Sequence, residues 1–296
     1  MVKRFLEAGA RVWVLDNLEG GNRANLEELE KAHNFEGLVV ADVAERGAVS
    51  DLFRLSFNLC IHLAAQSRVQ VSLEEPYRTF RTNLIGSQNV LEEARRHRSQ
   101  VVMVGTCMVY ASAQGDEGIG EDYPIRPASP YAASKLAADI LAEGYFRAFG
   151  LPVVILRPFN TYGPFQRSDL EGGVVSIFLR QFLEGKELTV FGDGSQTRDL
   201  MYVEDCSEFI YRAATSREAL GQVINAGYGK DISIRELALL IARDEGRIKF
   251  VPHPHSQSEI MRLICNRSKA KALLGWEPKI GLKEGIFKTL NWMRGE

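Results

Sequence analysis

Short β-rich apolar runs alternate with helix-like stretches through the first half of the chain, a pattern that implies parallel strands joined by crossover helices. Residues 2–8 read as the end of a helix closed by Gly9, which accepts the left-handed conformation of a C-cap. A strand follows over Arg11–Leu15, ending at Asp16. Further strands are expected at Gly37–Val40, Leu59–Leu63, Val101–Gly105 and Val153–Leu156, with helices over Val49–Leu55, Pro76–His97 and Pro130–Phe149. This spacing suits an α/β fold with a doubly wound sheet. After Pro158 the texture changes to Gly- and Pro-rich loops, with helices at Val174–Glu184, Ile234–Asp244 and Leu282–Met293 and a short strand at Glu187–Phe191. The expected division is a sheet domain over residues 1–165 and a smaller lobe over 166–296, some segments of which return to the sheet.

Composition narrows the function. The chain has 296 residues, 45% hydrophobic and 25% charged, enough to bury a sizeable core. A net charge of -2 gives no broad electrostatic reason to bind nucleic acid or an anionic membrane, so any anion site is local. No apolar run approaches the roughly 18 residues that span a bilayer, and the opening MVKRFLEAGA has no signal-peptide core; the reading is a cytoplasmic protein. Cys60, Cys107, Cys206 and Cys265 lack CxxC spacing and read as buried free thiols.

The strongest local signal is Tyr131-Ala132-Ala133-Ser134-Lys135, opening a helix after Pro130. Residues at i and i+4 share a helix face, so the Lys135 ammonium can stand beside the Tyr131 phenol and favour its ionised form. Alone, that spacing equally suits an exposed tyrosine beside a solvated lysine. About 25 residues earlier, where a strand ends, stands Gly105-Thr106-Cys107-Met108-Val109-Tyr110, and open α/β sheets place their sites at strand ends. His253 and His255 lie between prolines with no further ligand at zinc spacing, so no metal is expected and a polar loop is. Phe146, Phe149, Phe159, Phe178 and Phe182 read as core.

Taken in order, Asp16-Asn17, Asp42-Val43, His62-Leu63-Ala64-Ala65-Gln66, Asn83, Thr106 with Val109-Tyr110, Tyr131 to Lys135, Arg157 to Pro164 (RPFNTYGP) and Gln196-Thr197-Arg198-Asp199 leading into Tyr202-Val203 resemble the extended short-chain dehydrogenase/reductases, specifically the nucleotide-sugar epimerases and dehydratases. The resemblance implies a Rossmann-like sheet domain with a substrate lobe, NAD as cofactor, a nucleotide-diphosphate sugar as partner, and a homodimer. It implies that Asp16, with Asn17, takes the adenosine ribose, that Asp42 and Val43 lie at the adenine, and that Leu63, Ala64, Ala65, Gln66 and Pro158 line the cofactor. A carboxylate at the ribose favours NAD over NADP. Thr106 would hydrogen-bond the reacting hydroxyl, Tyr131 exchange its proton, and Lys135 hold the nicotinamide ribose and tune Tyr131. Asn83, Cys107 and Met108 would line the sugar, and Asn160 and Arg198 would hold the diphosphate, for which a planar guanidinium fork is suited. For Arg198, a local salt bridge with Asp199 is the competing reading.

Two departures from the family stand out. A dinucleotide fold carries its glycine fingerprint after the first strand, about 20 residues before the ribose acid. Counting back from Asp16 passes Met1, so the first strand and the glycine loop are expected to be absent from this chain. Either a start codon assigned late or a truncated gene explains that, or a shortened relative that has lost catalysis. The second departure is Cys107-Met108, where the family's 4,6-dehydratases carry an acidic pair and its decarboxylases a glutamate matching Met108. Thr106, Tyr131 and Lys135 remain, enough to oxidise and re-reduce a sugar carbon. The expected activity is a nucleotide-sugar 4-epimerase; a 4,6-dehydratase drawing acids from elsewhere, such as Glu121 or Asp122, is the alternative.

Overall fold

The computed structural model describes residues 1–169 and 173–295. In chain order the strands are β1 (Val12–Asp16), β2 (Phe35–Val40), β3 (Leu59–His62), β4 (Gln100–Val104), β5 (Val153–Pro158), β6 (Asn160–Tyr162), β7 (Leu188–Phe191), β8 (Thr197–Tyr202), β9 (Val223–Ala226), β10 (Asp231–Ser233), β11 (Ile248–Val251) and β12 (Arg262–Leu263). The α-helices are α1 (Val2–Glu7), α2 (Arg46–Phe53), α3 (Val69–Glu74), α4 (Pro76–Phe80), α5 (Gly86–His97), α6 (Pro130–Phe149), α7 (Val174–Leu183), α8 (Val203–Thr215), α9 (Ile234–Ala242), α10 (Ser268–Leu274) and α11 (Leu282–Arg294). Two units interleave along the chain: Met1–Thr106, Ser129–Arg157 and Ser207–Ile224 form the first, and Cys107–Ala128, Pro158–Cys206 and Asn225–Glu296 the second. Thus 107–128 and 158–165 pack with the second unit, and 207–224 with the first.

In the first unit β1 pairs in parallel with β2, and β3, β4, β5 and β9 form a separate sheet in that order. Within it β3–β4 and β4–β5 are parallel. The apolar runs of β4 and β5 are buried, and Val101, Met103, Val153 and Ile155 share one core with Leu91 and Ala94 of α5 and Ala138 and Ala142 of α6. Strands covered by helices read as continuous apolar runs rather than alternating ones, which is why they were legible in sequence.

Local chemistry sets the helix ends. The Ser129 hydroxyl accepts the Ala132 N–H at 3.2 Å, Pro130 takes the first helical position, and Gly150 at φ 66° ends α6. The stretch 76–97 is helical throughout but not as one α-helix: Arg81–Ile85 winds as a π segment joining α4 to α5. Such widened turns accompany functional positions, and this one carries Asn83.

The second unit centres on β8, flanked by antiparallel β10 and parallel β12 and pairing in parallel with β6. β7 pairs with β11. Phe178 and Leu179 of α7, Leu237 and Ile241 of α9, and Leu188 and Val190 of β7 share its core. A capping box opens α9, with the Ser233 hydroxyl accepting the Glu236 N–H at 3.1 Å.

Two expectations about side chains change. Phe159 and Phe178 are core residues and Phe146 and Phe182 are half-buried, but Phe149 is exposed, with the Arg95 guanidinium 5.1 Å above its ring. The four cysteines are free; Cys107, Cys206 and Cys265 are buried and Cys60 half-buried. Among the described residues no helix is long and apolar enough to cross a membrane.

Candidate functional site

In the first unit, Gly105 and Thr106 follow β4 directly, and Tyr131 and Lys135 come from the first turns of α6. Thr106, Tyr131 and Lys135 are 7%, 9% and 3% exposed, so the trio is enclosed rather than a solvated surface pair. Asp139 continues the same face one turn beyond Lys135. The Lys135 ammonium makes no hydrogen bond within the chain among the described residues. Burial lowers its basicity, and the Asp139 carboxylate opposes that. Asp139 in turn accepts from Arg157 Nε at 2.9 Å. Burial raises its pKa, against the pull of Arg157 and Lys135.

His62 ends β3 on the same floor. Its Nε2 lies 3.0 Å from Ser87 Oγ, and that hydroxyl donates to the Asn83 carbonyl at 2.5 Å. The single hydroxyl hydrogen is thereby used, so Nε2 is the donor and carries the imidazole proton. Burial, reinforced by the Lys135 charge, pushes His62 down to about 3, so it is neutral at physiological pH.

Most of the residues expected to line the cofactor fall at or just after the ends of β1, β2 and β3. Asp16 Oδ1 accepts the Leu18 N–H at 2.7 Å, and both carboxylate oxygens lie 3.5 Å from where a Cβ on Gly21 would stand. Asn17 caps its own turn, accepting the Glu19 N–H at 3.1 Å. Asp42 accepts the Ala44 N–H at 2.8 Å and Arg81 Nη1 at 2.5 Å; Arg81 is a partner the sequence did not suggest. Val43 is buried against Gly86, where an added Cβ would meet Val43 Cγ1 at 2.6 Å. Leu63 is exposed, Ala64 and Ala65 are half-buried, and Gln66 is buried.

Asn83 acts as a brace. Its Oδ1 accepts the Gln66 N–H at 2.7 Å, and its Nδ2 donates to the Gln66 carbonyl at 3.0 Å and to Ser134 Oγ at 2.8 Å. Both amide hydrogens are used inside the chain, tying the loop after β3 to α6 beside Lys135. The π turn at Arg81–Ile85 is what carries this side chain.

The second unit carries Cys107, Met108, Asn160 and Arg198, the remaining residues expected at the sugar and diphosphate. Cys107, buried, and Met108, half-buried, lie on a single 3-10 turn over Cys107–Val109. Pro158 closes β5, and Asn160, opening β6, has a buried Oδ1 with no hydrogen-bond partner among the described residues. Arg198 and Asp199 are neighbours on β8, and successive strand residues point to opposite faces. Their local salt bridge is accordingly not formed. Arg198 pairs with the Glu259 carboxylate and donates from Nη1 to the Thr197 and Ile260 carbonyls at 2.7 and 2.8 Å. Burial lowers its basicity, but only to about 10, so it remains a cation.

Glu259 also takes His253 Nε2 at 2.8 Å, which gives the His253–His255 loop a structural partner in this unit. Among the described residues no group of three or more His, Cys, Asp or Glu could hold a metal. Glu121 accepts the Asn225 N–H at 2.7 Å, and Asp122 is exposed.

Asp199 gathers three backbone donors: the N–H groups of Tyr228, Gly229 and Cys265, at 2.6, 2.8 and 3.0 Å. Burial pushes its carboxyl up to about 6, against those donors. Gly227 makes room, since a Cβ there would lie 2.8 Å from Asp199 Oδ2. Asp199→Asn is expected to lower stability by about 1–3 kcal/mol, because the amide NH₂ must face one of these buried donors. Chemical denaturation measures this, and an unchanged midpoint would remove Asp199 from that role.

A model of the NAD dependent epimerase/dehydratase family matches residues 1–227. The UDP-glucose 4-epimerase of Mycolicibacterium smegmatis is 34% identical, aligned over 100% of this chain and 95% of its own length. The dTDP-glucose 4,6-dehydratase of Streptomyces niveus is 32% identical, over 97% of this chain and 84% of its own. Among solved structures, Pal from Bacillus thuringiensis superposes with a TM-score of 0.97 at 46% identity, covering 99% of this chain and 94% of that one. With a match that spans both β4 and α6, an enzyme-bearing set of relatives aligned over nearly the whole length, and a parallel α/β fold, this chain belongs to the NAD-dependent epimerase/dehydratase family, in the extended short-chain dehydrogenase/reductase fold.

Proposed function

We propose that the protein is a nucleotide-sugar 4-epimerase. The observation that carries this reading is the enclosed set Thr106, Tyr131 and Lys135, in which Thr106 is followed directly by two residues that supply no acid–base pair, Cys107 and Met108. NAD, when bound, supplies the hydride acceptor and donor. Two features of the chain fit it: a buried ammonium on Lys135 with no hydrogen bond among the described residues, and an Asp16 carboxylate flanked by Gly21, which has no side chain to cover it. Lys135 and Asp16 would hold its two riboses, with Leu63 to Gln66 beside the nicotinamide.

The chain's own task is proton handling. Tyr131 removes the proton from the C4 hydroxyl and returns it, Thr106 Oγ orients that hydroxyl, and the Lys135 charge favours the phenolate. Arg198 and the buried amide of Asn160 would take the diphosphate and its neighbourhood. A 4,6-dehydratase would further need one group to remove the C5 proton and another to protonate the leaving C6 hydroxyl. Met108 does neither, and Glu121 already accepts the backbone of Asn225.

Incubating the protein with NAD and UDP-glucose or dTDP-glucose, and following the sugar by proton NMR, tests the proposal. The expected product is the 4-epimer. A new C6 methyl signal without a 4-epimer would replace this reading with the dehydratase.

A further inference from the structure

The Tyr131–Lys135 face of α6 does not end at Lys135. One turn on, in the otherwise apolar run Leu136-Ala137-Ala138-Asp139-Ile140-Leu141-Ala142, stands a buried carboxylate that the proton transfer does not touch. We infer that Asp139 is a positioning residue: it supplies the counter-charge that keeps Lys135 an ammonium, and through Lys135 it sets the acidity of the Tyr131 phenol. This rests on Tyr131 and Lys135 forming the proposed acid–base pair.

Three observations support it. First, among the described residues the polar groups around Lys135 offer no other negative charge. His62 faces it from β3 and is neutral, Tyr131 lies a turn before it on α6, and Arg157 reaches the cluster from β5 as a second cation. Asp139 is the acid whose field favours the charged lysine. Second, the carboxylate is held in place. Arg157 Nε donates to its Oδ2 at 2.9 Å, while Gly105 presses on its other side, where a Cβ would stand 2.8 Å from Oδ1. The strand end that delivers Thr106 thus leaves out a side chain at the position where Asp139 sits. Third, this carboxylate is ion-paired with Arg157 and its field also favours the charged Lys135, so its removal takes negative charge away from two cations that are both buried. Lys135, the group that can release a proton, would do so, since guanidinium cannot. Tyr131 would then lose the cation that favours its phenolate.

A purely structural Asp139–Arg157 pair makes a different prediction, because any disturbance of it would then have the same consequence. The test is a spectrophotometric titration of Tyr131, read as the near-ultraviolet phenolate difference between each protein and its Tyr131→Phe counterpart. It needs neither cofactor nor substrate, so absence of turnover does not enter it. In Asp139→Asn the Tyr131 midpoint is expected to rise by about one pH unit or more. In Arg157→Lys, which disturbs the ion pair but keeps its charge, stability falls and the midpoint stays at the parent value. If Asp139→Asn does not fold, the double variant Asp139→Asn with Arg157→Gln leaves no unpaired charge from the pair, and its midpoint is expected to rise as well. An unmoved midpoint in the foldable variant that lacks Asp139, or an equal shift in Arg157→Lys, overturns the role of Asp139. A parent midpoint near about 10, the value of an isolated tyrosine, would overturn the acid–base pair and this inference with it.

Discussion

Tyr131→Phe is expected to lower turnover by about 10²–10⁴-fold, the usual loss when a positioned acid–base group is removed, while the KM for the nucleotide sugar stays near the parent value. The substitution deletes one oxygen from a side chain that is 9% exposed, so the packing of α6 against the sheet is preserved. What disappears is the only atom on that side chain able to take the C4 proton in the proposed reaction. The phenyl ring left behind would still fill the same space beside Thr106 and Lys135. Single-turnover measurement, with cofactor and sugar both saturating, isolates the proton step from product release. A variant that kept the parent single-turnover rate would show that another group is the base, with Lys135 and His62 as the candidates in the same unit. His62 is poorly suited, since it is held neutral with its Nε2 hydrogen engaged by Ser87.

How much of this was legible before the structure depends on whether the signal was local. The helix carrying Tyr131 and Lys135 was readable to its end residues, because serine, proline and glycine stand at 129, 130 and 150 and each has one strong positional preference. Strands β1 to β5 were placed within two residues, their apolar runs being bounded by polar turns. The π segment at Arg81–Ile85 was not readable: it keeps the chain helical and adds no distinctive residue, and only the Asn83 bonds to Gln66 and Ser134 show what it achieves. Arg198 and Asp199 are a case where strand geometry alone is decisive. Once Thr197–Tyr202 is recognised as a strand, adjacent side chains must diverge, and a salt bridge between them is excluded. The Glu259 partner of Arg198, 61 positions away, had no signal in a single sequence. Asp139 did: an acid four residues after the lysine, in an apolar stretch, is costly to bury without a reason.

Lys135→Met is expected to separate function from stability. Turnover should fall by orders of magnitude, since a thioether cannot favour the phenolate of Tyr131 or hold a ribose. Stability should be unchanged or raised, by up to about 4 kcal/mol, as when buried charges give way to apolar side chains of similar volume. The local reason is the charge balance: removing Lys135 keeps the Asp139–Arg157 ion pair at 2.9 Å and takes away a buried ammonium that makes no ion pair of its own among the described residues. Linkage fixes how the gain depends on pH. The folded basicity of Lys135 is lowered by burial, so below that folded value lysine is charged in both states and the full cost of burying the ammonium is present. As pH rises through the lowered value toward about 10.4, the ordinary lysine value, the folded protein sheds the proton before the unfolded chain does and the parent recovers stability. The advantage of Lys135→Met is therefore largest near neutral pH and shrinks as the solution becomes alkaline. Urea denaturation of both proteins across that range measures it. A methionine variant that is less stable at neutral pH, or whose advantage grows with pH, would mean that the ammonium is well satisfied in the fold, and that Lys135 is held for structure rather than kept unsatisfied for a ligand.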